Sequence, residues 1–120
     1  MTKMKLSEIV NILNAKLLVG EDQSDKEFTR CGASDLMSDI LAGLSDDSVL
    51  LTGLTTVQTI RTAIVAGVRV VIFVRGKMPP DDVIAMARDE DIPMMSTPYS
   101  MFVSCGRLHA NGMTGLSGVR

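Results

Sequence analysis

Ser48-Val-Leu-Leu-Thr-Gly53 opens the stretch that decides the fold, and Arg69-Val-Val-Ile-Phe-Val-Arg-Gly-Lys77 and Pro93-Met-Met-Ser-Thr97 complete it. Three short apolar segments alternate with two amphipathic runs, the first of which closes at Gly67. Alternation of this kind predicts a βαβαβ unit with a parallel sheet. Residues 70–74 are apolar without a break, as a strand covered on both faces requires. Each strand then ends in small, polar or basic residues: Thr52 and Gly53, Arg75 to Lys77, and Ser96 with Thr97. Ligands of such sheets bind beyond the carboxyl ends of the strands, so a site is expected there.

The flanks extend the same layered pattern. Leu6, Ile9, Val10 and Leu13 recur at helical spacing and predict a helix over 5–14. Residues 16–19 read as a strand, 20–26 as a polar turn and 28–33 as a second strand. Ser34 or Asp35 can cap a helix whose apolar stripe is Leu36, Met37, Ile40, Leu41 and Leu44, with a turn over 45–48. Thr55 or Thr56 caps the helix lined by Val57, Ile60 and Ile64, and Gly67 suits a left-handed C-terminal position. Pro79-Pro80 put proline at the first position of the next helix. Asp81 and Asp82 complement its dipole. Thr97-Pro98 start the last helix, which is expected to bury Met101, Phe102, Cys105 and Leu108. The sum is one three-layer α/β domain over 1–110, with a mainly parallel sheet of about 4–5 strands and helices on both faces. The glycine-rich residues 111–120 are expected to form a flexible tail.

Composition limits the function classes. A chain of 120 residues with 46% hydrophobic and 22% charged side chains is an ordinary globular domain that can form one core without disulfides or metal. Aromatics make up 3% against nine methionines, so the core is aliphatic and adaptable. A net charge of −2 gives nucleic acid no basic face, and the stacking platforms for single strands are missing. The apolar runs are too short to span a bilayer. Two cysteines and no secretory segment indicate reduced thiols in a cytoplasm.

The strand-end loops carry the chemistry. Thr52, Gly53, Thr55 and Thr56 form a polar turn feeding a helix N-terminus, which can offer N–H groups and hydroxyls to an anion. Arg75, Gly76 and Lys77 on the neighbouring strand and Ser96 and Thr97 on the third complete the candidate set. The rival reading is plain capping and turn chemistry. Neither a P-loop nor a dinucleotide fingerprint is present. Cys31, Asp35 and Ser38 are secondary candidates, Cys31 through a thiol placed at a helix start. Asp35 and Asp39, one helical turn apart, are either paired carboxylates or a cap and a solvated residue. Cys105 and His109 share one helix face but do not complete a metal site. No catalytic set, metal or cofactor is expected; an enzyme would have to rely on Cys31, Asp35 and Arg75.

Four segments resemble the DRTGG domain family: Gly32-Ala-Ser-Asp-Leu-Met-Ser-Asp-Ile-Leu-Ala42, Leu51-Thr-Gly53, Ile72-Phe-Val-Arg-Gly-Lys-Met-Pro-Pro80 and Ile92-Pro-Met-Met-Ser-Thr-Pro-Tyr-Ser-Met-Phe102. The last two also look like the N-terminal domain of bacterial HPr kinase/phosphorylase. The resemblance implies a three-layer fold and a regulatory, ligand-sensing role, and it does not imply kinase activity. The motif that names the family is degenerate here, with Leu54-Thr55-Thr56 in place of Asp-Arg and Val74-Arg75-Gly76 in place of Thr-Gly-Gly. The expected function is a non-catalytic cytoplasmic module that binds a small anionic ligand, a nucleotide or phosphometabolite, and forms a dimer or higher homo-oligomer. The alternative is an interaction module for a protein partner, without a small ligand.

Overall fold

The computed structural model describes residues 3–43 and 48–115. The chain runs β1 (Met4–Lys5), α1 (Leu6–Ile12), β2 (Lys16–Val19), a 3₁₀ turn (Glu21–Gln23), β3 (Glu27–Phe28), β4 (Arg30–Ala33) and α2 (Met37–Gly43). It continues with β5 (Ser48–Thr52), α3 (Val57–Ala66), β6 (Val68–Phe73), α4 (Asp81–Asp89), β7 (Met94–Ser96), α5 (Met101–Ala110) and β8 (Thr114–Gly115). Six strands form one sheet in the order β2-β7-β6-β5-β4-β8, and β1 pairs with β3 in a separate antiparallel pair. Only β2 runs antiparallel in the large sheet. The expected mainly parallel architecture holds, and the sheet is wider than expected because residues after α5 add a strand.

Alternation along the strands sorts side chains into two cores. Val49, Leu51, Val70, Ile72 and Met95 face one side, where Leu6, Ile9 and Leu13 of the α1 segment and Leu108 of α5 cover them. Leu50, Val71, Phe73 and Met94 face the other, beneath Ile40 of α2, Ile60 and Ala63 of α3, and Val83 and Ala87 of α4. Every residue of β5 is buried, as the unbroken apolar run requires. Three successive crossovers leave β4, β5 and β6 over one face, whereas the chain leaves β7 over the other. Gly67 closes α3 with φ 84°, a left-handed conformation that glycine adopts without strain.

Several local expectations are corrected. Residues 28–33 split between β3 and β4, which lie in different sheets. Pro80 is the residue before α4 rather than its first residue, extended at φ −69° and ψ 166°. The last helix starts at Met101 behind a Ser100 cap, whose Oγ accepts the Val103 N–H at 3.2 Å. Its inward stripe is Met101, Ser104, Cys105 and Leu108, so Phe102 lies off it and is 87% exposed. Leu36 precedes α2 and is exposed, as is Leu41, whereas Ile40 is fully buried. Leu44 and residues 45–47 of the expected turn lie outside the described residues. Within the stretch expected to form a tail, Met113 is buried and Thr114–Gly115 pair with Arg30 and Cys31 of β4. Residues 116–120 lie outside the description.

Candidate ligand site at the carboxyl edge of the sheet

Parallel pairing of β4 with β5 sets Ala33 beside Leu51. The next residues of both strands therefore emerge together, and Asp35 arrives beside Thr52 and Gly53. One Asp35 oxygen, Oδ1, accepts the Gly53 N–H at 2.6 Å and the Thr52 hydroxyl at 3.1 Å. Thr52 Oγ1 in turn accepts the Leu54 N–H at 3.1 Å. Ser34 Oγ, not Asp35, serves the start of α2, taking the Leu36 N–H at 3.0 Å.

Arg75 enters from β6. Its backbone adopts φ 59°, a left-handed conformation that costs a non-glycine residue about 1 kcal/mol. The neighbouring loop imposes it: the Arg75 N–H donates to the Tyr99 carbonyl and the Gly76 N–H to the Thr97 carbonyl, both at 2.8 Å. Arg107 stacks on the Tyr99 ring at 4.4 Å, fixing that loop from α5. So held, the Arg75 side chain reaches back over β5. A Cβ on Gly53 would meet Arg75 Nη2 at 2.7 Å and both Asp35 oxygens at 3.4 Å. Guanidinium and carboxylate thus flank the space above the Gly53 α-carbon. The guanidinium makes no hydrogen bond or ion pair among the described residues. Gly53 permits this close approach of the guanidinium, and its backbone angles do not call for glycine.

The other predicted residues divide in two. Thr56 caps α3, its Oγ1 accepting the Thr59 N–H at 3.3 Å and lying 3.0 Å from the Thr59 hydroxyl. Thr55 is half-buried in the same turn. Ser96 donates to the Lys77 carbonyl at 2.7 Å and Thr97 to the Leu13 carbonyl at 2.6 Å, both from buried positions. Those hydroxyls tie loops together and do not face an open site. Gly76 and Lys77 are exposed on the rim, and Ser38 is exposed on α2. Cys31 lies inside β4 rather than at a helix start, and burial pushes its thiol up to about 12, with Cys105 a second cause. That is the opposite of an activated thiolate. His109 Nδ1 lies 3.3 Å from the Met113 carbonyl, and no trio of metal-ligating residues gathers among the described residues.

Sequence reasoning put Asp35 in second place. The signal that promotes it is register: an acidic residue two positions past one strand lies beside the glycine that ends its parallel neighbour. A depression of about 320 Å³ lies at the opposite end of the sheet, among Gly67, Arg69, Glu90 and Asp91, and gathers none of the predicted residues. Among the described residues no helix is long and apolar enough to cross a membrane.

The model of the DRTGG domain matches residues 8–110. The chain belongs to the DRTGG domain family. The family match runs from within α1 to the end of α5, and with it covers both halves of the carboxyl edge. Among solved structures, the CBS and DRTGG domains of the regulatory region of Clostridium perfringens pyrophosphatase, complexed with the activator diadenosine tetraphosphate, match with TM-score 0.71 at 17% identity. The match covers 87% of this chain and 45% of that one, so this chain spans less than half its length. At that identity the likeness establishes the fold. No curated protein matches the sequence.

Proposed function

We propose that this DRTGG domain is a non-catalytic, cytoplasmic regulatory module. It binds a small anionic ligand, a nucleotide or phosphometabolite, where β4, β5 and β6 end. The observation that carries the reading is the Arg75 guanidinium, held over Gly53 beside Thr52 and Asp35 and without a partner among the described residues. A strained backbone angle and two loop-to-loop hydrogen bonds hold a cation that pairs with nothing among the described residues, which suits a group waiting for an anion. The similar regulatory region from a pyrophosphatase, which carries a nucleotide activator, supports a nucleotide as the first ligand to try.

A thermal-shift screen with nucleotides, phosphosugars, acetyl phosphate and diadenosine tetraphosphate tests the reading. A ligand present at 100 times its Kd stabilises the fold by about 2.7 kcal/mol. The expected result is a shift that Arg75→Ala abolishes. A blank across the panel with folded protein at millimolar ligand overturns it.

A second reading, a module that docks on a protein or on a second copy of itself, has its own support. Leu36, Met78 and Phe102, at 58%, 50% and 87% exposure, all follow strands that end at the carboxyl edge. Sedimentation distinguishes it: Phe102→Ser converts an oligomer to monomer if this edge is the contact, and leaves the sedimentation coefficient unchanged if it is not.

A further inference from the structure

The Asp35 carboxylate already stands where an anion would bind at the end of β5. Its Oδ1 takes the Gly53 N–H at 2.6 Å and the Thr52 hydroxyl at 3.1 Å, the donors that a strand-end turn would offer a ligand. Across the Gly53 α-carbon the Arg75 guanidinium remains unpaired among the described residues. We infer that Asp35 is a built-in stand-in for the ligand's anion, and that a phosphoryl group occupies this niche by displacing it. The inference rests on the ligand-site reading above and gives it a chemical class and a gate.

Exposure and charge both favour exchange. Asp35 is exposed and lies between β4 and α2, next to Leu36 at 58% exposure, so its side chain is held by the two hydrogen bonds of Oδ1 rather than by burial. Its second oxygen has no hydrogen-bond partner among the described residues. A tethered carboxylate competes with every free carboxylate at a high effective concentration. A carboxylic metabolite offers the same single charge and gains nothing by the swap. A phosphate monoester carries a charge of about −1.5 to −2 and three acceptor oxygens. It can take the Gly53 and Thr52 donors and the Arg75 fork together, which one carboxylate does not do here. The niche therefore selects phosphoryl ligands over carboxylates, and occupancy expels Asp35 together with the segment leading into α2.

The test is calorimetric titration of AMP, pyrophosphate and acetate into the full chain and into Asp35→Asn, Asp35→Ala and Arg75→Ala, each checked for folding by circular dichroism. Asn keeps an acceptor for Gly53 and removes the charge; Ala removes both. The expected result is that a phosphoryl probe binds about tenfold more tightly to each Asp35 variant, that acetate does not bind the wild type, and that Arg75→Ala loses binding. The Gly53 amide resonance should also move in wild type on saturation with the probe, as its carboxylate partner leaves. Weaker binding in both Asp35 variants, with Arg75-dependent binding retained in wild type, overturns the stand-in and leaves the ligand site intact. No binding to any folded form overturns both.

Discussion

On the β6–β7 side of the carboxyl edge, Ser96 and Thr97 commit their hydroxyls to the carbonyls of Lys77 and Leu13. Backbone hydrogen bonds from Arg75 and Gly76 then close the gap between the two loops. On the β4–β5 side, the exposed Asp35 carboxylate satisfies the Gly53 N–H and the buried Thr52 hydroxyl, and the Arg75 guanidinium beside them is left unpaired among the described residues. Both sides looked equally suited to a ligand, being built from Ser, Thr, Gly and basic residues. In an open parallel sheet the crevice belongs where successive crossovers change face, which here is between β6 and β7. This chain fills that crevice with its own backbone, and the polar groups left over lie one strand away. A hydroxyl's meaning is thus set by whether a carbonyl is buried within its reach.

The largest effect should come from the closed side. Thr97→Val removes a buried donor and strands the Leu13 carbonyl, at a cost of about 2 kcal/mol. For a domain of this size that lowers Tm by roughly 10 °C. Differential scanning calorimetry reads it, and the affinity for a phosphoryl probe should stay within about twofold. Ser96→Ala, which leaves the Lys77 carbonyl near solvent, should cost less. A loss of probe binding in Thr97→Val without loss of stability would show that the two sides are not separate.

Arg75→Ala should do the reverse. Its guanidinium supports nothing in the fold among the described residues, so Tm should move by no more than about a degree. Probe affinity should fall at least about tenfold, the worth of one charge-assisted hydrogen bond. Lys77→Ala, whose ammonium is exposed further along the rim, should fall by less because the charge is screened there. Equal losses at the two positions would mean a diffuse positive rim rather than a formed site.

Much of this contrast could be read from the sequence, and the unread part has definite causes. The β5, β6 and β7 segments are decided by unbroken apolar runs, and Gly67 by helix-end chemistry. β8 was not legible, because Thr114 and Gly115 carry no strand signal and pair with β4 only once Met113 is anchored in the core. Phe102 lies outside the core against expectation because helical spacing over Met101–Cys105 fits more than one inward face, and the choice of the buried Ser104 over a phenylalanine is tertiary. The left-handed Arg75 was out of reach for the same reason: its φ is imposed by the Tyr99 and Thr97 carbonyls, 24 and 22 positions away in the sequence. Asp35 was within reach, since parallel register alone brings it to Gly53.

Gly53→Ala tests the close approach that distinguishes the open side. The added Cβ would lie 2.7 Å from Arg75 Nη2, the far end of a flexible side chain, and 3.4 Å from the Asp35 oxygens. The guanidinium can swing away, so stability should change by less than about 1 kcal/mol. Probe affinity should nevertheless drop toward that of Arg75→Ala, because the cation no longer overlies the niche. An affinity equal to wild type would show that Arg75 binds from elsewhere on the rim.

The smallest effect is read in pH and asks whether β4, which leads to Asp35, carries a reactive group. Burial pushes the Cys31 thiol up from 9.0 to about 12, with Cys105 a lesser cause, and Cys105 is itself raised by burial. A thiol that keeps its proton longer in the folded state stabilises that state fully below the unfolded pKa, and the contribution is lost as pH rises toward the folded one. Unfolding free energy from urea titration should therefore be level up to about pH 9 on this account and decline above it, less steeply in Cys31→Ala. That variant starts from a lower stability, because it gives up packing against the core beneath α5. Probe affinity at pH 7 should be unchanged, and iodoacetamide at pH 8 should label Cys31 far more slowly in the folded chain than in urea. Rapid labelling of the folded protein would mean that the Cys31 thiol is accessible and ionised despite its place against the core, and the pH dependence of stability would then have another source.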